Sequence, residues 1–118
     1  MNEQKMTPIE HLAQQQLDAY NSSDLDGFVA CYHADVSVFN GNELSLSGID
    51  AFRARYRTLF EQWQFGASVP QRMSLSTHCV DFETWWRVDP NSGERSEGTV
   101  LVRYEERDGL ISTVQFLR

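Results

Sequence analysis

Two carboxylates two residues apart, Asp81 and Glu83, are the first place to look for acid–base chemistry in this chain, because alternate residues of a β-strand share one face. The strand that carries them runs from about His78 to Asp89. It sets Val80, Phe82, Thr84, Trp86 and Val88 on one side and Cys79, Asp81, Glu83, Trp85 and Arg87 on the other. The apolar side is expected to face the protein interior and the charged side solvent. With Asn91-Ser92-Gly93 taken as a three-residue bulged turn, Asp81 falls opposite Arg103 and Arg87 opposite Glu97, so ordinary cross-strand ion pairing is the favoured reading of the pair. His78 shares the parity of Val80 and reads as a bystander at a strand start, while His11 and His33 read as surface residues. The histidines and acids lack metal-ligand spacing. Cys31 and Cys79 lack a histidine and acid pattern for nucleophilic work and read as buried structural thiols. With no Gly-rich phosphate loop and no Gly-x-Ser-x-Gly elbow, the residues imply no metal and no cofactor.

The elements that must position these groups follow from periodicity. Thr7-Pro8-Ile9-Glu10 is a helix start with a capping box, and Ile9, Leu12, Ala13, Leu17 and Tyr20 recur at helical spacing to about residue 21. Asn21-Ser22-Ser23 breaks that helix, and Ser23 with Asp26 opens a second whose apolar positions are Leu25, Phe28, Val29 and Tyr32. Val36 and Val38, then Leu44 and Leu46, alternate with polar residues about Asn40-Gly41-Asn42, a short hairpin. A third helix follows Ser47-Gly48 and aligns Ile49, Phe52, Tyr56, Leu59, Phe60 and Trp63, leaving Arg53, Arg55 and Arg57 mostly toward solvent. From Gln64 the period is two: a strand through Arg72 to Leu75 with Pro70 marking an edge or bulge, the His78 strand, one from about Glu94 to Glu106, and a last from Leu110 to Arg118 after the Asp108-Gly109 turn. The order is helix, helix, hairpin, helix and four antiparallel strands, an α+β domain with helices on one face of a curved sheet.

Size and composition bound the answer. The 118 residues suit one domain spanning 1–118, and 41% hydrophobic residues with fourteen aromatics supply a core. A formal charge of −7 excludes a phosphate-backbone partner, so no nucleic acid is expected. No stretch could span a bilayer, and MNEQKMTPIE lacks the apolar run of a leader, so a cytoplasmic protein without a membrane partner is expected.

Several local motifs carry a resemblance. Asn21-Ser22-Ser23-Asp24-Leu25-Asp26-Gly27-Phe28-Val29 resembles the helix-turn-helix opening of ketosteroid isomerases and SnoaL-type polyketide cyclases, and Tyr32-His33-Ala34-Asp35-Val36-Ser37-Val38 resembles their passage into the first strand. Ser47-Gly48 with Phe52-Arg53 and Tyr56 resembles their third-helix entry, and Arg107-Asp108-Gly109-Leu110-Ile111 their final hairpin. The chain is thereby identified as a member of the nuclear transport factor 2-like superfamily, which implies a cone-shaped α+β fold: three N-terminal helices on a curved, mainly antiparallel sheet with a pocket at the open end. Residue by residue, the resemblance places Asn40 at the isomerases' catalytic base, Gln16 at their tyrosine donor, and Leu101 or Val102 at their protonated acid. All three working groups are replaced, and steroid isomerisation by that mechanism is not expected. The water-activating Arg-x-Asp and Asp of limonene-epoxide-hydrolase-like members fall on Thr84, Trp86 and Phe116, and the cyclases' essential acid on Phe116.

What remains is a container for a small, mostly apolar molecule. Phe28, Tyr32, Phe52, Tyr56, Phe82, Trp86 and Phe116 are expected to line it, with Gln16, Asn40 and Arg103 as polar contacts. Tyr32 and Tyr56 are expected to form a neutral hydrogen-bonded cluster with Gln16 and Asn40. Arg103 depends on the register of the fifth strand: one solution turns Val100, Val102 and Tyr104 inward, the other Thr99, Leu101 and Arg103. A two-residue Asp108-Gly109 loop pairs 103 with 114, and the family's inward Val114, Phe116 and Arg118 then favour the second. One of Trp85 and Trp86 must face away from the pocket. The outer face, carrying Trp85 with either Val100, Val102 and Tyr104 or Leu101, Val114 and Phe116, is expected to form a homodimer through the sheet. A catalytic isomerase, cyclase or hydrolase with a different acid–base set, and a partner-binding module without chemistry, are the alternatives.

Overall fold

The computed structural model describes residues 6–118; residues 1–5, on which the expectation of no leader rests, lie outside the described part. Helix α1 (Pro8–Asn21) begins as its sequence dictates: Thr7 caps the Glu10 amide, and the Glu10 carboxylate accepts from the Thr7 amide at 3.0 Å. Its stripe of Ile9, Leu12, Ala13, Gln16 and Leu17 is buried. The second helix, α2 (Leu25–Val29), is a short turn capped by Asp24, whose side chain accepts from the Gly27 amide. Ser23 is not the cap; it takes a left-handed conformation at φ 55° to reverse the chain. Tyr32 is not helical either: it opens β1 (Tyr32–Asn40). Strand β2 (Glu43–Ser47), α3 (Ile49–Gln62), β3 (Gln64–Leu75), β4 (His78–Val88), β5 (Arg95–Arg107) and β6 (Leu110–Leu117) complete the chain.

The strands form one six-stranded sheet in the order β2-β1-β6-β5-β4-β3. All neighbours are antiparallel except β1 and β6, which run parallel. Strand β3 is thus an edge, and its register shift between Ser68 and Gln71 accommodates Pro70, as the sequence suggests. The helices cover the concave face, where Phe28, Phe52, Val36, Val38, Val102, Ile111 and Cys79 are all at most 2% exposed. Fold, helix order and layering agree with the expectation. No helix of the described residues is long and apolar enough to cross a membrane.

Side-chain direction along β4 is the reverse of that expected. Cys79 and Asp81 are buried beneath the helices, Glu83 is half-buried, and Phe82 points away with 39% of its surface exposed. Asp81 pairs with Val102 rather than Arg103, and Arg87 with Ser96 rather than Glu97. What neutralises Asp81 is Arg72 on β3, which donates through Nε at 2.7 Å and Nη2 at 3.1 Å and reaches Gln14 of α1 through Nη1.

The register of β5 also resolves. Asp108 and Gly109 both have positive φ, 55° and 79°, and Arg107 pairs with Leu110, so the turn is the two-residue loop the sequence suggests. A bulge between Glu105 and Glu106 then shifts the pairing by one. Tyr104 meets Val114 and Val102 meets Phe116, so the inward set is Val100, Val102 and Tyr104, and Arg103 faces outward. There it donates to Gln115 at 2.8 Å and Glu105 at 3.2 Å, beside His78.

Candidate functional site

The sheet curls so that its concave face and α3 leave a cavity of about 490 Å³. Strand β4 supplies Glu83, Trp85 and Arg87; β5 Val100; β6 Phe116; α1 Tyr20; and α3 Arg55, Tyr56, Thr58 and Leu59. A smaller recess of about 50 Å³ shares Tyr20, Tyr56, Glu83, Arg87 and Phe116 and adds Gln16, Phe28, Tyr32 and Tyr104. Together they form a cone whose narrow end is phenolic and whose wide end is mixed.

Of the ten residues expected to meet a ligand, Asn40, Tyr56 and Phe116 line the cavity, and Gln16, Phe28 and Tyr32 line the recess. Phe52 lies in the core, stacked on Phe28 at 5.7 Å between ring centroids. Phe82, Trp86 and Arg103 lie on the opposite face of the sheet and are not brought to the cone. Each of the adjacent tryptophans settles over a cross-strand glycine. A Cβ on Gly98 would fall 2.8 Å from the Trp85 ring, and one on Gly66 would fall 2.6 Å from Trp86 Nε1. Trp85, which lines the cavity, is the one inside. Arg55 is not simply solvated: it lines the cavity and donates to Ser45.

At the narrow end Gln16 organises the phenols. Its Oε1 accepts from the Tyr32 hydroxyl at 3.0 Å, and its Nε2 donates to Tyr104 Oη at 3.3 Å and to the Ala13 carbonyl at 3.0 Å. The cluster is Gln16, Tyr32 and Tyr104; Asn40 sits at the rim, and Tyr56 makes no protein hydrogen bond through its hydroxyl among the described residues. Burial keeps the Tyr32 and Tyr104 phenols well above their ordinary range and pushes Tyr56 up to about 12, so all three are neutral donors at physiological pH. The Tyr104 oxygen accepts from Gln16, which leaves its proton available to the recess.

The group that sequence pattern assigned to solvent is the chemically interesting one. Glu83 borders both cavity and recess and has no cationic partner within 4.0 Å among the described residues. Burial first, and the nearby Asp81 charge second, push its carboxyl up to about 7, with Arg87 offsetting part of the rise. A carboxylate that titrates near neutrality can both accept and return a proton. The signal that could have found it is Arg72, the cation on a neighbouring strand that lets a charged face turn inward. No group of three or more metal-ligating side chains occurs among the described residues.

A family model for the SnoaL-like domain matches residues 13–114. The chain belongs to the SnoaL-like family. Among solved structures, an uncharacterised cystatin-fold protein from Novosphingobium aromaticivorans is 22% identical, with a TM-score of 0.84 over 97% of this chain and 100% of that one. A Δ5-3-ketosteroid isomerase from Mycobacterium sp. is 20% identical, with a TM-score of 0.84 over 94% of this SnoaL-like chain and 92% of its own. Rv0760c from Mycobacterium tuberculosis, in complex with estradiol-17β-hemisuccinate, is 17% identical, with a TM-score of 0.86 over 96% and 95%. A search of curated protein sequences finds no match. The structural likenesses place the SnoaL-like chain in the nuclear transport factor 2-like fold, as its motifs imply.

Proposed function

We propose that this SnoaL-like chain, a single domain over residues 1–118, binds a small, largely apolar carbonyl compound in its cone and moves a proton on it with Glu83, as an isomerase or cyclase does. The observation that carries the reading is an inward carboxylate with no cation within ion-pair distance among the described residues, at the boundary between an aromatic cavity and a recess of neutral phenols. Ionised Glu83 takes a proton from a carbon next to the carbonyl. The electron pair moves to the carbonyl oxygen, which accepts hydrogen bonds from Tyr104 and Tyr56, and the Glu83 carboxylic acid then returns the proton to carbon. The ring-bearing ligand named for the Mycobacterium tuberculosis relative supports a cavity of this shape as a container for fused rings.

The acid–base set differs from that of the ketosteroid isomerases. Asn40 and Gln16 cannot serve as base and phenol, and the inward residue at the acid position is Val102, Leu101 pointing outward. Turnover of a 3-oxo-Δ5-steroid by the isomerases' route is accordingly absent in this reading. We also read the chain as a cytoplasmic homodimer joined through the convex face of the sheet. That face carries Phe82, Leu101 and Leu117 in one cross-strand row, with Met73 and Leu75 74% and 81% exposed beside it, in place of the residues expected from sequence.

The test is hydrogen–deuterium exchange at the acidic carbons of 2-tetralone in deuterated buffer, followed by NMR. Exchange above the buffer rate, lost at least tenfold in Glu83→Gln, supports the proposal. Binding of 2-tetralone with no accelerated exchange overturns the catalytic part and leaves a ligand carrier.

A further inference from the structure

The chain carries a formal charge of −7, yet the wall of its cone is basic. It has nine arginines, and five of them (Arg53, Arg72, Arg95, Arg103 and Arg107) lie within 4.0 Å of an Asp or Glu carboxylate. The four without such a partner among the described residues are Arg55, Arg57, Arg87 and Arg118. Three of these four line the same cavity, reaching it from α3, from the end of β4 and from just beyond β6. The sequence has seventeen acidic residues, but among the described residues Glu83 is the one acid that lines the cavity with the three arginines.

The arginines are also held ready. Arg87 lies over the Trp85 ring at 5.7 Å from its centroid, and Arg118 over Phe116 at 5.6 Å. A guanidinium placed over an aromatic ring is held by the ring's π face, and its forked N–H groups match the two oxygens of a carboxylate. Arg55 is braced by Ser45, donating to its Oγ at 3.2 Å and its carbonyl at 3.3 Å. Arg87 borders the recess as well as the outer cavity, whereas Arg55 and Arg118 border the outer cavity alone. The positive charge is therefore weighted toward the open end and the phenols toward the closed end.

We propose that the ligand of this cone is an amphipathic organic anion, with a ring-bearing apolar body against Tyr20, Tyr56, Trp85 and Phe116 and a carboxylate received by Arg55, Arg87 and Arg118. This rests on the reading of the cone as a small-molecule site and adds the charge of the molecule and its direction of entry, apolar end first. A neutral ligand would bury the cavity wall while leaving three cations to share one chain carboxylate, Glu83, which lies beyond 4.0 Å of each of them.

The experiment is isothermal titration with two probes matched in ring and length, 2-naphthylacetate and 2-(2-naphthyl)ethanol, at pH 7.5 and low salt. The anion is expected to bind at least tenfold more tightly than the alcohol, with the advantage shrinking as salt is raised. Replacing Arg55 and Arg87 together by Gln should remove the advantage while holding alcohol affinity within about threefold, the scale of a lost contact rather than a lost charge. Arg57→Gln, the unpaired arginine outside the cavity, should change neither. Equal or tighter binding of the alcohol, or an anion preference that survives the double replacement, overturns the proposal while leaving the cone as a small-molecule site. Failure of both probes to bind at millimolar concentration overturns the small-molecule reading and this inference with it.

Discussion

Asp81 and Glu83 are the same chemistry on the same strand and the same face, two residues apart, yet the two ends of the sheet treat them differently. At the covered end, beneath α1, Asp81 is 1% exposed, receives both Nε and Nη2 of Arg72, and accepts from the Cys79 thiol at 3.3 Å. At the open end Glu83 meets phenols and an indole at the boundary of cavity and recess, and no cation is close enough to pair with it among the described residues. One carboxylate is consumed by the fold and the other is left available. Position in the strand does not separate them; the presence of a cation on the adjoining strand does.

Substitution at the covered end should cost the most stability. Arg72→Met leaves a buried carboxylate unpaired and should destabilise the chain by about 3–5 kcal/mol, the usual cost of removing one partner of a buried pair. Urea denaturation at pH 7 measures it, and the double variant with Asp81→Asn should recover much of the loss. At the open end the sign reverses. Glu83 binds its proton more tightly folded than unfolded, so its contribution falls as pH rises from about 4.5 through about 7 and is flat above that. Glu83→Gln should therefore stabilise the chain at pH 8, by about 3 kcal/mol, and leave it nearly unchanged at pH 4. Equal effects at the two pH values would contradict the assignment.

Smaller effects distinguish the phenols. Tyr32→Phe removes a buried hydrogen bond to Gln16 and should cost about 0.5–1.5 kcal/mol. Tyr56→Phe, whose hydroxyl has no protein partner among the described residues, should cost less while weakening ligand binding. On the convex face, Leu101→Glu should shift the chain from dimer to monomer by light scattering at micromolar concentration with little change in monomer stability, since Leu101 is 43% exposed. A monomeric mass for the unmodified chain would overturn the sheet interface.

The contrast between the two carboxylates also marks where sequence reading succeeds. Helices α1 and α3, the Asn40-Gly41 hairpin, the Asp108-Gly109 turn and the edge position announced by Pro70 are all local: caps, periodicity and turn chemistry lie within a few residues of what they control. The inward face of β4 is not local. Its alternation is ambiguous because both faces carry apolar groups, and the choice was decided by Arg72, nine positions away in sequence, and by glycines at 66 and 98 that admit Trp86 and Trp85. The bulge between Glu105 and Glu106 leaves Ser112 outside the ladder, its hydroxyl donating to the Glu105 carbonyl at 3.2 Å. That one extra residue converts a correctly read turn into the opposite facing of Arg103 and Tyr104. The candidate site was thus legible in its helix-borne and β6-borne members (Gln16, Tyr56, Phe116) and illegible in Glu83, Trp85, Arg87 and Tyr104, whose directions depend on pairing between strands.

Glu83 is a carboxylate without an ion-pair partner among the described residues, half-buried between cavity and recess. Titrating its side-chain carboxyl by 13C NMR in uniformly labelled protein, with Glu83→Gln to assign the resonance, tests this directly. A midpoint near 7 is predicted; a midpoint near 4.3, the value of a solvated glutamate, would contradict it.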